Sequence, residues 1–540
     1  MNNRAGNDSV LPDSAEAESS PQAVLFSALQ DPRLYDHEVS SFEVIETHIS
    51  RILLTGPYAY KIKKPVNFGF VDFTTLERRR HFCHEEVRLN RRYSPELYLD
   101  VVPITGSIEH PRPGGRGEAV EYAVRMRQFP PGGLLSRLAA ERRLEAEHID
   151  QIIEIVAEFH GRIDAAGRDS RYGLPDRIHH WVMENFAHVE PLLNDEALLG
   201  QLGDVRDWCE NEARVRGADI TARRENGFVR ECHGDLHLGN MTLIEGKVTL
   251  FDCIEFNDEL RWIDVMSDVA FAAMDLTDRG YPEYASRFLN GYLQHTGDYA
   301  GLGVLRYYQV YRAMVRAKVT ILRLAQGVSE EEQAAILREY SGYADLARRY
   351  TLAQVPAVII THGLSGSGKS TFAARLVERL GAVQVRSDIE RKRLFGFRPA
   401  ADTGSAPQGG IYTADASRRT YEALARNTTH LVEAGYTVIV DAAFLRAPQR
   451  DMFRALAARR RIPFLILDFH APRDVLQRRI ARRAGKGGDP SEADADVLEA
   501  QMRTEEPLRR DDERSAVTID AASGSTLEIA LGEIRRRLGR

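Results

Sequence analysis

Val358-Ile-Ile-Thr-His-Gly363-Leu-Ser-Gly366-Ser-Gly368-Lys369-Ser370-Thr371 sets an apolar run directly before a glycine-rich turn ending in Gly-Lys-Ser. The glycines allow backbone N–H groups to turn inward around an anion, and the helical pattern over Thr371–Leu380 adds its positive N-terminal end. Strand, glycine-rich loop and helix in that order open a parallel α/β domain. About 130 residues upstream lies a phosphate-handling signature of unrelated design, His233-Gly-Asp235-Leu-His237-Leu-Gly-Asn240. It is followed by the apolar strand Val248-Thr-Leu-Phe and by Asp252. Two such signatures predict two phosphotransferase-type domains in one chain.

Outward from the first stretch, strand-like runs recur at Ala357–Thr361, Ala382–Arg386, Thr437–Val440, Phe464–Phe469 and Ala516–Ile519, separated by helical patterns. That alternation predicts a parallel, three-layered sheet domain over residues 351–540, with Pro356 marking entry to the first strand. Upstream the style differs. Phe42–Val66 reads as a β-hairpin turning at Thr55-Gly56-Pro57, Leu76–Tyr93 as a charged helix, and Val120–Phe129 as a strand broken by Pro130-Pro-Gly-Gly. Helical patterns follow at Ala146–Ile163, Tyr284–Leu293 and Leu305–Gln326. Antiparallel strands first and helices afterwards predict a two-lobed α+β domain over residues 23–350.

At 540 residues the chain exceeds what one hydrophobic core covers. Its 43% hydrophobic and 28% charged residues are those of a globular protein in water. No apolar run reaches the length of about 18 residues that a membrane helix needs, so no membrane partner is expected. Residues 1–22, rich in Ser, Asn, Asp, Glu and Ala, read as a disordered tail rather than a secretion signal. Cys83, Cys209, Cys232 and Cys253 lack metal-ligand spacing and fit reduced thiols in the cytoplasm. The net charge of −7 is uneven, because residues 351–540 hold 31 Lys and Arg against 24 Asp and Glu. Runs such as Arg459-Arg460-Arg461 read as solvated helix faces, so nucleic acid is not the expected partner.

The downstream stretch fits the Walker A pattern GxxxxGK[ST]. Gly363, Leu364, Ser365, Gly366, Ser367, Gly368, Lys369, Ser370 and Thr371 are its candidate nucleotide-binding residues. Lys369 would reach the β and γ phosphates of ATP, and the Ser370 hydroxyl would ligate Mg²⁺. Asp388, just after the next strand, would accept the proton of an attacking hydroxyl, with Arg391 holding an anionic group of the substrate. Asp441, ending Val438-Ile-Val-Asp, has the placement of a Walker-B-like acid for Mg²⁺. Arg479 and Arg483 share one helix face before Gly485-Lys-Gly-Gly and would form a lid over the transferred phosphate. The segment resembles the AAA-type P-loop kinases, among them gluconate kinases, zeta toxins and polynucleotide 5′-kinases. The resemblance rests on GLSGSGKST, VRSDIERKRLF, VIVDAAF and RRIARR…DPSEAD, and it implies ATP-dependent phosphoryl transfer without naming an acceptor.

In the upstream signature, Asp235 would orient or deprotonate the acceptor, while Asn240 and Asp252 would bind Mg²⁺. CHGDLHLGNMTLIEGKVTLFDCIEFND resembles the aminoglycoside phosphotransferase and choline kinase-like superfamily, which implies a protein-kinase-like fold. Trp262-Ile-Asp264-Val-Met-Ser-Asp268 resembles the acidic segment that follows the family's metal aspartate, and His160 fits a family helix as a structural residue. Ala59-Tyr60-Lys61 matches the Ala-x-Lys portion of the family's nucleotide-binding strand, which favours Lys61 as the phosphate cation. Strand alternation puts Lys63 on the same face. Glu85 is the best match to the ion-pairing glutamate, with Glu86 next, and the adenine hinge would fall near Val124–Phe129. No GxGxxG loop precedes Lys61, a departure from the strict kinase pattern.

The whole chain resembles bacterial fusions of these two domains. It is expected to be an ATP/Mg²⁺-dependent phosphotransferase acting on a hydroxyl of a small molecule such as a sugar, aminocyclitol or nucleoside. Two alternatives stand beside this. In one, the P-loop domain is an ATP-gated switch for its neighbour or a partner; in the other, it is a nucleic-acid end kinase. The oligomeric state is not legible in the sequence.

Overall fold

The structure, a computed structural model, describes residues 20–69, 71–399, 401, 403, 410–484, 490–521 and 526–539, without the side chains of Gln326, Arg483, Ala484 and Thr526. Most of the tail expected at residues 1–22 lies outside the described residues, but Ser20 caps a helix, Pro21–Ala28, by accepting the Ala23 N–H. Two compact units are present. One comprises the described residues up to Leu144 with Asp164–Ala166 and Val229–Ile263; the other comprises Glu145–Ile163, Gly167–Phe228 and the residues from Asp264 onward.

The first unit is built on an antiparallel six-stranded sheet of β1 (Glu43–Glu46), β2 (Ser50–Leu54), β3 (Tyr58–Lys63), β4 (Tyr98–Gly106), β5 (Pro111–Pro113) and β6 (Ala119–Arg127), in the order β1-β2-β3-β6-β4-β5. The expected hairpin is β2–β3. Alternation along β3 divides its side chains between the two faces. Tyr60 and Ile62 pack with Leu25, Phe26 and Leu53 on one face. Ala59 packs with Cys83, Val87 and Tyr98 on the other, beneath the Leu76–Asn90 helix, and the odd-numbered Lys61 and Lys63 share that side. After the sheet come β7 (Val229–Glu231), the hairpin of β8 (Met241–Ile244) and β9 (Lys247–Leu250), and β10 (Trp262–Asp264). The loops flanking β8 and β9 bear the Asp235 and Asp252 motifs. A sheet carrying one long helix, then a loop and hairpin with the motif residues, is the protein-kinase-like α+β arrangement.

The second unit contains the helices Ala146–Arg162, Pro175–Val189, Glu196–Glu225, Val265–Asp278, Pro282–Thr296, Leu302–Ile321 and Glu330–Thr351. Val265–Asp278 is buried along almost its whole length, with Leu302–Ile321 packed on it. Arg223 fastens this part, bridging Asp264 and Asp298 through four hydrogen bonds of 2.6 to 2.8 Å. The same unit holds the parallel sheet of β11 (Val358–His362), β12 (Val383–Arg386), β13 (Val438–Asp441), β14 (Phe464–His470) and β15 (Ala516–Asp520), ordered β12-β13-β11-β14-β15. Its central strands β11 and β13 are buried along their whole length because helices cover both faces, whereas the edge strand β15 alternates buried and exposed positions. The phosphate loop, the Ser387–Leu394 helix and Asp441 gather at the carboxyl ends of the strands, where ligands of open parallel sheets bind.

Arg450 anchors the covering helix Ala447–Arg460 from a position with no exposed surface. Its guanidinium donates to the carbonyls of Phe444, Glu506 and Pro507 and pairs with Asp512 at 3.2 Å. An Arg450→Met substitution takes one charge partner from the buried Asp512, which keeps Arg454 and the Arg509 N–H, and removes the donor to three carbonyls. It is expected to cost about 3–5 kcal/mol, read as a lowered midpoint in thermal unfolding followed by circular dichroism.

Candidate active sites

In the first unit, five charged side chains form one ionic chain. Lys61 Nζ lies 2.5 Å from Asp252 Oδ1 and 2.8 Å from Glu86 Oε1. The other oxygen of Glu86 is 2.6 Å from Lys63 Nζ, and Lys63 also contacts Glu255. Lys63 and Glu86 are wholly buried, Lys61 and Glu255 nearly so, whereas 40% of the Asp252 side chain is exposed. Burial alone would drive each group toward its neutral form, so these charges persist only by mutual pairing. Burial pushes Glu86 upward, but Lys61 and Lys63 outweigh it and hold it at about 2 instead of 4.5. Burial likewise opposes the Lys61 ammonium, yet Asp252 and Glu86 raise it well above the ordinary lysine value.

Asp252 is held at φ +64, a left-handed conformation that costs a non-glycine residue about 1–3 kcal/mol. Its N–H donates to Tyr98 Oη at 3.0 Å, and the next N–H, of Cys253, donates to Asn90 Oδ1 at 2.9 Å. The Leu76–Asn90 helix and the start of β4 thus fix the loop that carries the carboxylate. Three carboxylates against two ammonium groups leave one negative charge at the open end of the chain. Asn240 uses its Nδ2 to donate to Asp235, which leaves its Oδ1 as an oxygen ligand. Hard oxygen donors with surplus negative charge fit a divalent cation such as Mg²⁺.

Asp235 is fixed from two sides. Asn240 Nδ2 donates to its Oδ2 at 2.8 Å and to its carbonyl at 3.0 Å, and His237 Nε2 lies 3.3 Å from the same Oδ2. His237 Nδ1 accepts the Gly239 N–H at 3.0 Å, so its proton sits on Nε2 and is directed at Asp235. His233 repeats the pattern, accepting the Asp235 N–H on Nδ1 and donating Nε2–H to the Phe251 carbonyl at 3.0 Å, one residue before Asp252. Gly234 between them has φ +86, and a Cβ there would lie 2.7 Å from the Leu260 carbonyl. No other residue fits that turn.

One expectation is corrected. Glu86, not Glu85, pairs with Lys61. The buried face of the helix runs through Arg79, Cys83, Glu86, Val87 and Asn90 at spacings of three and four. Glu85 is turned off that face and pairs with Arg88 at 2.8 Å and Arg261 at 3.5 Å. The stripe Cys83–Glu86–Val87–Asn90 carried the signal, but its polar members hid it. Glu255 and His237 were not singled out in the sequence, and Lys63 stood only as an alternative to Lys61.

In the second unit, Lys369 opens the Lys369–Leu380 helix, with Ser370 and Thr371 in its first turn, and its Nζ donates to the Leu364 carbonyl at 2.7 Å across the phosphate loop. Gly366 has φ +82, and a Cβ there would meet the Leu476 carbonyl at 2.8 Å. The Ser365 N–H donates to Gln501 Oε1 at 2.8 Å. Arg479 touches the loop, its Nη1 lying 3.5 Å from the Gly366 carbonyl. Arg483 falls in the same helix, Arg473–Ala484, but its side chain and residues 485–489 lie outside the described residues. Asp441 ends β13, beside the strand that leads into the loop. Its Oδ2 accepts from Gln384 at 2.9 Å and lies 3.6 Å from Arg386 Nε, while no described donor meets Oδ1. Burial pushes Asp388 above its ordinary 3.8, Arg386 pulls it back, and Asp441 adds to the rise. Arg391 is buried, donating to the Ile411 carbonyl at 3.1 Å and Ser417 Oγ at 3.2 Å, with no partner for Nε among the described residues. Hydroxyl and carboxylate oxygens beside a loop of inward N–H groups fit a Mg²⁺-bound polyphosphate.

Residues 82–308 match the model of the phosphotransferase enzyme family, and residues 358–508 match that of an AAA domain. The uncharacterized protein Rv2004c of Mycobacterium tuberculosis is 30% identical over 470 residues, 85% of this chain and 90% of the relative. The chain belongs to the family that joins these two domains. It is an ATP-dependent phosphotransferase. Its solved neighbours include a choline kinase from Cryptosporidium parvum, 11% identical over 61% of this chain and 95% of that one at a TM-score of 0.38. They also include a gluconokinase from Sinorhizobium meliloti, 22% identical over 34% and 95% at a TM-score of 0.26. No helix among the described residues is long and apolar enough to cross a membrane.

Two outcomes follow for the ionic chain. Glu86→Gln should lower kcat/KM of the Asp235-dependent reaction by about 100-fold or more, because Lys61 loses its anchor. Glu85→Gln, which removes pairs with Arg88 and Arg261 that do not touch Lys61, should stay within about threefold. The depressed Glu86 also sets an acid limit. Its contribution to stability is complete above about 4.5 and is lost as pH falls toward 2. Urea denaturation across that window should therefore show a steep loss in the wild type and a shallower one in Glu86→Gln.

Proposed function

We propose that the chain carries two ATP·Mg²⁺ sites and transfers the γ-phosphate to a hydroxyl of a small molecule. The reading rests on the Asp235 carboxylate, held by Asn240 and His237 yet with 34% of its side chain exposed. A carboxylate that is oriented and open to solvent is what an acceptor hydroxyl requires. In this reading Asp235 takes the acceptor proton, and Lys61, held by Glu86, neutralises the phosphates of the nucleotide. Asn240 and Asp252 hold the divalent cation. When bound, that cation would offset the charge developing on the phosphates. The adenine would lie along the end of β6, near Val124–Phe129.

For the second site, Gly363 through Thr371 would cradle the phosphates, Lys369 would neutralise them, and Ser370 and Asp441 would serve the cation. Arg479 and Arg483 would close over the transferred group. Asp388 would be the base and Arg391 the anchor for an anionic part of the acceptor, since the Arg391 Nε has no partner among the described residues. A sugar, aminocyclitol or nucleoside-like acceptor suits both sites. The four cysteines are buried and form no disulfide among the described residues, in keeping with work in the cytoplasm.

The test incubates γ-labelled ATP and a metabolite extract with wild type, Asp235→Ala and Lys369→Ala. Each substitution should remove its own labelled product. Unlabelled metabolites with slow release of phosphate alone would replace the kinase reading of that site by a switch, and labelled oligonucleotide ends would point to an end kinase. Asp388 adds a pH signature. The Lys369-dependent rate should fall, as pH is lowered, through a value above the ordinary 3.8 of an aspartate, because the base must be ionised to act.

A further inference from the structure

β12 is an edge strand of the parallel sheet, and the partner on its open side is a helix side chain. Asn290, buried in the Pro282–Thr296 helix, donates Nδ2 to the Ala382 carbonyl at 3.0 Å and accepts the Gln384 N–H on Oδ1 at 2.7 Å. The intervening Val383 turns its N–H the other way, to the Thr437 carbonyl at 2.8 Å. Ala382 and Gln384 therefore present the groups that a further strand would pair. One carboxamide stands in for that strand and closes the edge.

The same helix reaches the P-loop site through a side chain. Gln384 is only 3% exposed, and its amide is held at both ends. Its Nε2 donates to Asp441 Oδ2 at 2.9 Å, and its Oε1 accepts from Gln294 Nε2 at 3.4 Å, one turn along the helix from Asn290. The Asp441 carboxylate sets the amide nitrogen toward itself, because a flipped amide would set oxygen against carboxylate, and the Gln294 donor holds the oxygen at the other end. Gln384 holds Asp441 Oδ2 by a hydrogen bond, with Arg386 Nε 3.6 Å from the same oxygen, and Oδ1 is the oxygen that would serve a cation.

We propose that Gln384 is a positioning residue of the P-loop site and that Gln294 and Asn290, from the phosphotransferase half of the sequence, set it. The cation affinity of the P-loop site then depends on a helix that no P-loop kinase needs by itself. The inference rests on Asp441 as the acid that serves the cation. It gives the fusion a physical purpose, in which the helical part completes the outer support of the second site.

The test uses the full chain with ADP and Mn²⁺, the Lys369→Ala chain serving as the blank for the P-loop site. Mn²⁺ binding in the presence of ADP is followed by electron paramagnetic resonance, and metal-free ADP binding by calorimetry in EDTA. Gln384→Leu and Gln294→Ala should each weaken Mn²⁺ binding about tenfold, as outer-shell partners of metal ligands do. Metal-free ADP binding and the melting temperature should be unchanged. Gln294→Glu, which replaces the donor by an acceptor, should weaken Mn²⁺ binding more than Gln294→Ala. Gln294 is half-buried, so these variants keep the test open if Gln384→Leu fails to fold. Unchanged Mn²⁺ binding in both Gln294 variants, with binding weakened in Asp441→Asn, overturns the proposal and leaves the kinase reading intact. Unchanged binding in Asp441→Asn as well removes its premise. Parallel loss of metal-free ADP binding would mean a collapsed loop, which also overturns it.

Discussion

A buried charge survives only beside its opposite, and the first unit is organised around that constraint. Glu86 cannot be ionised under the sheet without Lys61 and Lys63, and each lysine keeps its charge there between Glu86 and a second carboxylate. The consequence is positional. β3 supplies both lysines from one face, the Leu76–Asn90 helix supplies the carboxylate, and the segment from Asp252 to Glu255 closes the chain at both ends. Three elements far apart in sequence are thereby registered against one another to within a hydrogen bond. The exposed end, Asp252, is the one left with an unfilled demand for positive charge.

The P-loop part solves a related problem with backbone instead of side chains. Its strands are mostly apolar, and Asp441 and the loop lie at the carboxyl ends of adjacent strands. The loop is held by carbonyls and amides from its surroundings, including Gln501 on the Ser365 N–H. Support from outside extends further, since the edge strand is closed by Asn290. Arg287 adds an ionic tie from the same helix, joining Asp150 at 2.6 Å to Glu378 at 3.0 Å. The helices that follow the Asp252 motif and the parallel sheet thus share one packed unit.

The sequence by itself determined the fold class of both parts, because the period of two along β3 and the apolar runs of β11 to β15 are local properties of the chain. It also pointed to the motif residues of fixed spacing, such as Asp235 with Asn240 and Lys369 with Ser370. Only the tertiary structure decided partners across long separations. Glu85 and Glu86 are adjacent and alike in the sequence, and the choice between them turned on which face of the helix met Lys61, some 25 residues away. Glu255 and Gln384 bear no motif at all, and they matter because folding sets one against Lys63 and the other against Asp441. Pattern reports how a segment meets water, whereas a buried charge or amide acquires its role from whichever group the fold places within about 3 Å of it.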